Sequence, residues 1–437
     1  MGLRFGGRIL NSDHAIEPMS SRQPLVARMR ESACVAGRWC AVACLFVVPI
    51  NKPATNVAIG LALLFSLLGR DVRQRWLTAL HHPVVQGALV WWAVLVLSAV
   101  HTWVETSVLP LSGSFVWACW YPLLLGSLLQ TPLWRRRALI AFALAVGIVL
   151  LISCGMYVGW IPQRSIDLLQ PNLRNTVFKE YTQQGIAMLV FAAMGVAAAA
   201  TTQSKPRRIS FAAAALLALA NVAFMIESRT SYVTLVPLLA YWAWRGVLKN
   251  LSGWRVAAIA CAMATATLAL IWFTPPIRQR LVLSVAHEAE VYVTQRTPTS
   301  TGIRLELWRR TLPIIASAPV FGHGLRQWAP LYRQSIEGLP NFNAFLMGHP
   351  HQEMLLIVAE QGFAGLLVYL LLLVALARYI GRLDQPERDI YACLWLIYLT
   401  AGLANCLWDD FSHRLLFISL LACIPLVGKH SSPERLK

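Results

Sequence analysis

Residues 347–378 read MGHPHQEMLLIVAEQGFAGLLVYLLLLVALAR, and this stretch indicates how the chain is built. The apolar run from 352 to 378 is long enough to cross about 30 Å of hydrocarbon, which takes roughly 17–25 helical residues. His349, His351 and Glu353 stand where that run begins. The stretch therefore predicts a membrane helix with titratable side chains at its entrance.

Comparable apolar stretches recur along the chain. The sequence is 57% hydrophobic and 13% charged, with a mean hydropathy of +0.56, and an ordinary soluble domain of this length does not have that composition. We predict an all-α integral membrane protein with about twelve transmembrane helices. They lie near 34–50, 54–69, 84–101, 114–130, 138–159, 184–201, 209–227, 231–248, 255–274, 352–378, 389–408 and 413–427.

Basic residues follow alternate loops, and by the positive-inside rule those loops are cytoplasmic. Most of the net charge of +18 comes from these loops, so nucleic acid is not an expected partner. This places 275–350 outside as one sizeable periplasmic segment that contains amphipathic helices. The predicted divisions are a disordered cytoplasmic N-terminus at 1–33, helices 1–9 at 34–274, the periplasmic segment at 275–350, helices 10–12 at 351–428 and a cytoplasmic tail at 429–437.

The periplasmic segment holds eight arginines and no lysine. Guanidinium is the preferred cation for bidentate recognition of phosphate or carboxylate, although any one arginine can equally contact lipid headgroups or solvent. Residues 301–319 (TGIRLELWRRTLPIIASAP) have the apolar spacing of an amphipathic helix on the outer surface. Its predicted apolar stripe is Leu305, Trp308, Leu312 and Ile315.

Three local signals converge on the outer face. Arg229 stands between two apolar runs in IESRTSYV, where an arginine at the membrane boundary needs a partner, and Glu227 can supply one. Arg304 begins the surface helix and His351 begins the next membrane helix. A histidine there is often only a hydrogen-bonded anchor, but the three together combine two phosphate-binding cations with a base that acts near neutral pH.

The same residues resemble a known family. His351 and Gln352 are followed by nine residues, Gly362, two residues and Gly365, which is similar to the signature of the O-antigen ligase and polymerase superfamily: histidine, then Asn, Ser or Gln, a nine-residue spacer and two glycines. SRTSY at 228–232, TGIRLELW at 301–308 and PVFGHG at 319–324 resemble further motifs of that superfamily, in the same order.

The resemblance implies transfer of a glycan from an undecaprenyl-pyrophosphate carrier to an acceptor hydroxyl on the periplasmic side of a Gram-negative inner membrane. For an O-antigen ligase the acceptor is lipid A-core. The catalytic residues are then His351, Arg229 and Arg304. Further expected substrate contacts are Gln352, Glu353, His349, His323 and Arg174.

Neither a cofactor nor a metal is expected. The outward acidic residues are scattered, and Asp409 with Asp410 is interpreted as a salt bridge to Arg414 or an interfacial turn. The alternatives within the superfamily are an O-antigen polymerase and a protein O-oligosaccharyltransferase. A lipid-linked glycan transporter is the alternative of another class, and it would need charges along a path at mid-membrane depth.

Overall fold

The computed structural model describes residues 25–111, 113–163, 175–178, 180–226, 228–246 and 275–426, with four single positions between 265 and 273. In these ranges the ordered structure is helical and contains no strand, which confirms the predicted all-α class. Most of the helix predicted at 255–274 lies outside the described residues.

The helices of the first half follow the predicted apolar stretches. The first begins at Leu25, earlier than the predicted position 34. They are α1 Leu25–Val47, α2 Lys52–Leu68, α3 Val72–Leu80, α4 Pro83–Thr106, α5 Ser114–Trp117, α6 Tyr121–Leu128, α7 Pro132–Tyr157, α8 Tyr181–Thr201, α9 Lys205–Ala220 with a π-turn at Asn221–Ile226, and α10 Arg229–Gly246.

The second half consists of a group of short helices followed by three apolar ones. The short helices are α11 Pro275–Arg278, with a π-turn at Gln279–Leu283, α12 Ser284–Gln295, α13 Ser300–Ser317, α14 Trp328–Ser335 and α15 Phe342–Phe345. The apolar helices are α16 Glu353–Gly381, α17 Glu387–Gly402 and α18 Phe411–Leu421.

Among the residues searched, five helices are long and apolar enough to cross a membrane: α4, α7, α8, α9 with its π-turn, and α16. A sixth span results if α2 and α3, which are bent by 119° to each other, are counted as one. The helical positions agree with the sequence prediction, whereas twelve crossings and their sidedness stay predictions.

Helix α13 buries its predicted stripe only in part: Leu305, Trp308 and Ile315 are partly buried, but Leu312 is not. The structure buries Leu307, Thr311 and Ile314, while Leu312 is 59% exposed. This occurs because α13 packs against α12, α14 and the start of α16 instead of resting one face on an apolar surface. Trp328 of α14 donates its indole N–H to the Thr311 hydroxyl at 2.9 Å inside this cluster.

Helix α16 is broken at Gly362, where φ is +68° and ψ is −174°. The carbonyl oxygens left free before the break accept hydrogen bonds from the turn after α13. The backbone N–H of His323 donates to Ala359 at 3.0 Å, and that of Gly324 donates to Glu360 at 2.9 Å. The turn therefore caps the first half of α16.

The same turn also caps the second half of α16, but here α16 supplies the N–H donors and the turn supplies the carbonyl acceptors. The N–H of Phe363 donates to the carbonyl of Pro319 at 2.8 Å, and that of Ala364 donates to Val320 at 3.1 Å. Non-helical backbone at membrane depth is tolerated only where such groups find partners within the protein. The junction between residues 319–324 and 359–364 meets this requirement.

Glycine is required on both sides of this junction. A Cβ atom on Gly362 would lie 2.1 Å from the carbonyl oxygen of Val320, and one on Gly322 would lie 2.4 Å from the carbonyl carbon of Glu360. Both glycines have positive φ, a conformation that other residues rarely adopt. The spacing of the glycine motifs thus reflects a close approach of two backbone segments.

We expect Gly362→Ala to destabilise the protein by about 3 kcal/mol or more, because strained backbone adds to a steric clash. The apparent unfolding temperature of the purified protein in detergent measures this effect. Gly381→Ala is the matched control, since it lies in the same helix and a Cβ there meets no atom within 4 Å. Similar unfolding temperatures for the two variants would contradict the proposed role of the junction.

Candidate active site

One face of α13 carries the residues that organise the site. Thr301, Arg304 and Trp308 are spaced by three and four positions, so they share that face. At its N-terminal end the Thr301 hydroxyl accepts a hydrogen bond from Nη1 of Arg229 at 3.3 Å. Arg304 therefore lies one helical turn along α13 from Thr301, the residue that contacts Arg229.

The other end of this face reaches the histidine turn. The indole N–H of Trp308 donates to the carbonyl oxygen of Pro350 at 3.1 Å, and Pro350 precedes His351. The helix rises about 10 Å between Thr301 and Trp308. Arg304 and His351 interact electrostatically, as do Arg229 and Arg304. The structure thus brings Arg229, Arg304 and His351 to one region.

Arg229 is held in a bidentate ion pair with Glu288 of α12. Its Nη1 lies 3.0 Å from Oε2 of Glu288, and its Nη2 bonds to Oε1. The backbone N–H and hydroxyl of Thr301 also donate to Oε2, at 2.9 and 2.6 Å. Burial alone would raise the pKa of Glu288, but these hydrogen bonds outweigh it and lower the pKa to about 2. The positive charge of Arg229 is therefore balanced.

The sequence did not identify Glu288 as this partner. The two residues are 59 positions apart, and no local spacing connects them. The expected partner Glu227 lies outside the described residues.

Arg304 differs from Arg229 because it makes no hydrogen bond or salt bridge with any residue in the described ranges. Its side chain is half-buried, and burial together with the charge of Arg229 lowers its pKa. An arginine nevertheless stays protonated at neutral pH. The guanidinium donors of Arg304 are therefore available to an anionic ligand.

His351 sits in a strained turn that is close enough to Arg304 for the two side chains to interact electrostatically. Its φ is +52°, which is uncommon for a residue other than glycine and is typical of functional positions. Burial lowers its pKa to about 4, with smaller contributions from His349 and Arg304. The ring is therefore neutral at pH 7 and can accept a proton. Its Nδ1 is buried and has no hydrogen-bond partner within the described structure.

His349 packs against His351. Their ring centroids are 4.4 Å apart in an edge-to-face arrangement, and the backbone N–H of His351 donates to Nδ1 of His349 at 3.3 Å. Burial lowers the pKa of His349, while the charges of Asp409 and Asp410 oppose that shift. His349 thus shapes the turn that presents His351.

Two of the predicted substrate contacts bind backbone groups. Gln352 is the N-cap of α16, and its side-chain oxygen accepts from the N–H of Leu355. Glu353 is buried and accepts from the N–H of Trp408 at 3.0 Å. Asn, Ser and Gln can all accept such a capping bond, which accounts for the choice of residues after the signature histidine.

Of the two remaining predicted contacts, His323 lies within the described residues. Nε2 of His323 lies 2.8 Å from the carbonyl oxygen of Ile314 and 3.0 Å from the Ser317 hydroxyl. Its ring therefore hydrogen-bonds to the C-terminal end of α13. Arg174 lies outside the described residues.

The acidic pair near α18 is engaged in protein contacts. Asp409 forms a salt bridge with Arg326 at 2.9 Å. Asp410 caps α18 through the N–H groups of Ser412 and His413. Burial raises the pKa of Asp410, but interactions with the ring and the backbone N–H of His413 outweigh it and lower the pKa. Across the described ranges no three His, Cys, Asp or Glu side chains group as metal ligands.

A comparison with protein-family models supports the relationship for part of the chain. Residues 213–370 match the O-Antigen ligase family. This confirms the resemblance to the O-antigen ligase and polymerase superfamily. The matched ligase-family region contains Arg229, Arg304, His351 and both halves of the glycine junction. A comparison with curated proteins gave no significant match.

Together, the ligase-family region and the apolar helices identify a multi-pass membrane protein. Membrane glycosyltransferases are the enzymes of this family. A glycosyltransferase can use an unpaired cation and a neutral base in its chemistry. Arg304 and His351 are the candidates for these two roles.

We expect the acid limb of the kcat/KM profile to lie well below pH 6.5, the ordinary histidine pKa. This prediction takes the neutral ring of His351 as the base, so activity should fall as pH drops through its lowered pKa. Arg304→Gln removes a positive charge and should move this limb to higher pH. The measurement is glycan transfer by the purified protein between about pH 3.5 and 8, with Arg333→Gln as an exposed control. A limb at pH 6.5 or above in the unmodified protein would refute this prediction.

Glu288→Gln should lower stability by about 1–3 kcal/mol, because it leaves Arg229 uncompensated in a poorly solvated place. The two side chains are only 18% and 12% exposed. Thermal unfolding in detergent measures the loss. Glu290→Gln is the control, since Glu290 lies on the same helix and is exposed. The ion pair would have no stabilising role if both variants unfolded at the same temperature.

Proposed function

We propose that the protein is an O-antigen ligase. It transfers O-antigen polysaccharide from undecaprenyl pyrophosphate to a sugar hydroxyl of lipid A-core on the periplasmic face of a Gram-negative inner membrane. The observation that carries this proposal is the unpaired guanidinium of Arg304 beside the neutral ring of His351, both positioned by α13 within the ligase-family region.

In this mechanism the arginines bind the donor pyrophosphate. Arg304 supplies the net positive charge, because Glu288 balances the charge of Arg229. As the bond between the anomeric carbon and the phosphate oxygen breaks, negative charge grows on the leaving pyrophosphate, and fixed guanidinium donors stabilise it. Two guanidinium groups can perform this role without a metal ion.

His351 acts on the acceptor. Its neutral ring takes the proton from the sugar hydroxyl as the oxygen attacks the anomeric carbon, while the electron pair of the breaking bond leaves with the pyrophosphate. Such base catalysis contributes about 10²–10⁴-fold to a rate. Direct attack inverts the anomeric centre.

A ligase is favoured over its superfamily alternatives because the sequence has one sizeable outer segment, at 275–350, whereas polymerases often carry two. A transporter would use a broken helix to line a path. In α16 the backbone groups freed by the break at Gly362 bond to the turn at 319–324 instead, which favours a rigid enzyme scaffold.

The test is complementation of a bacterium that lacks its own O-antigen ligase and makes a compatible carrier-linked glycan. Lipopolysaccharide on a gel is the readout, at matched membrane expression. The unmodified protein should restore the ladder. His351→Ala and Arg304→Ala should reduce transfer by on the order of 10²-fold or more, whereas the exposed residues in His287→Ala and Arg333→Ala serve as matched controls.

Arg229→Lys is preferred to alanine at that position because lysine keeps a charge for Glu288 while losing the bidentate geometry. A carrier-linked glycan of altered length, without a ladder, would favour the polymerase. Glycan on a protein would favour the oligosaccharyltransferase. No change in any glycan would favour the transporter.

A further inference from the structure

A cavity of about 290 Å³ lies between α3, α4, α6, α7 and the end of α18. Most of its lining is apolar, including Val85, Pro122, Leu129 and Ile424. The histidine turn is at the N-terminus of α16, whereas the cavity lies near its C-terminus. There the ring of Tyr379 packs 5.7 Å from the ring of His82, which lines the cavity. It is therefore separate from the candidate active site.

Arg135 is the charged residue in this lining. Its side chain is half-buried, and its Nη1 donates to the carbonyl oxygen of Gln130 at 2.9 Å. No carboxylate in the described parts of the chain forms a salt bridge with it, and Glu387 acts on it only from a longer distance. A half-buried cation of this kind is costly without an anion nearby.

His82 does not add a second cation. Its Nδ1 accepts from the N–H of Val84 at 3.2 Å, and its Nε2 lies 3.2 Å from the carbonyl oxygen of Ile424. Burial lowers its pKa to about 4, so the ring is neutral at pH 7. Arg135 therefore sets the charge of the cavity.

A second cavity, of about 180 Å³, adjoins the first and shares Val84, Pro122 and Leu421 with it. It extends along α16 and is lined there by leucines such as Leu372 and Leu376. The combined space has Arg135 at one end, a mostly apolar stretch along α16, and Glu353 with Arg414 at its other end. An amphipathic anion fits this distribution.

We propose that this space binds an anionic phospholipid, with the headgroup phosphate on Arg135 and acyl chain in the adjoining apolar cavity. Basic pockets between membrane helices bind anionic headgroups, and a guanidinium forms paired hydrogen bonds with phosphate oxygens. The lipid fills the gap between α4, α7 and α18, so it is a structural ligand. Its headgroup lies at the opposite end of α16 from the donor pyrophosphate.

The test is native mass spectrometry of the full chain, delipidated in detergent and titrated with phosphatidylglycerol or phosphatidylethanolamine. The unmodified protein should bind phosphatidylglycerol at least tenfold more tightly. Arg135→Ala should abolish that preference, and Arg136→Ala, an exposed neighbour, should keep it. Gly126→Leu keeps Arg135 but fills the cavity, since the nearest atom to a Cβ there is 4.0 Å away. It should lose the lipid as well.

Thermal unfolding provides a second readout, because a ligand of the folded state raises the unfolding temperature. Phosphatidylglycerol should stabilise the unmodified protein and Arg136→Ala but not Arg135→Ala. Equal binding of the two lipids, or equal behaviour of Arg135→Ala and Arg136→Ala, would overturn the proposal. So would binding that requires removal of residues 427–437, since that segment would then be the occupant.

Discussion

Four backbone hydrogen bonds across the break in α16 support the rest of the site. An unsatisfied backbone group in a membrane environment costs several kcal/mol, so the break at Gly362 and the turn at 319–324 stabilise each other. The turn directly follows α13, and α13 carries Arg304 and the indole that binds the carbonyl before His351. The position of the cation relative to the histidine therefore depends on these backbone contacts together with the Trp308 indole.

Electrostatic roles are divided between the two arginines. Glu288 neutralises and orients Arg229, whereas Arg304 keeps its donors available in a half-buried position. Burial is the main reason that the pKa of His351 is lowered, and the charge of Arg304 adds a smaller effect, because a nearby cation disfavours the protonated ring. A bound pyrophosphate would offset this effect and make the histidine a stronger base when the donor is present.

The sequence predicted what depends on local chemistry. Apolar length located most helices, and titratable residues at helix ends led to the prediction of Arg229, Arg304 and His351, which the structure brings to one region. It did not predict the partner of Arg229, because that contact joins residues 59 positions apart. It also assigned Gln352 to substrate, whereas the start of α16 uses its side chain as a cap. The stripe on α13 was wrong at Leu312 because three neighbouring elements, not a flat membrane surface, determine which residues of that helix are buried.

Because of the glycine junction, residues 319–324 and 359–364 need to come from the same parent sequence. Each segment supplies both donors and acceptors to the other, and each contributes a glycine whose missing side chain makes room for the partner backbone. A chimaera between two relatives that crosses over between these segments would join backbones that had not adapted to each other. Crossovers before residue 319 or after residue 364 keep the two segments together, and those are the places where natural or engineered recombination can exchange the flanking helices.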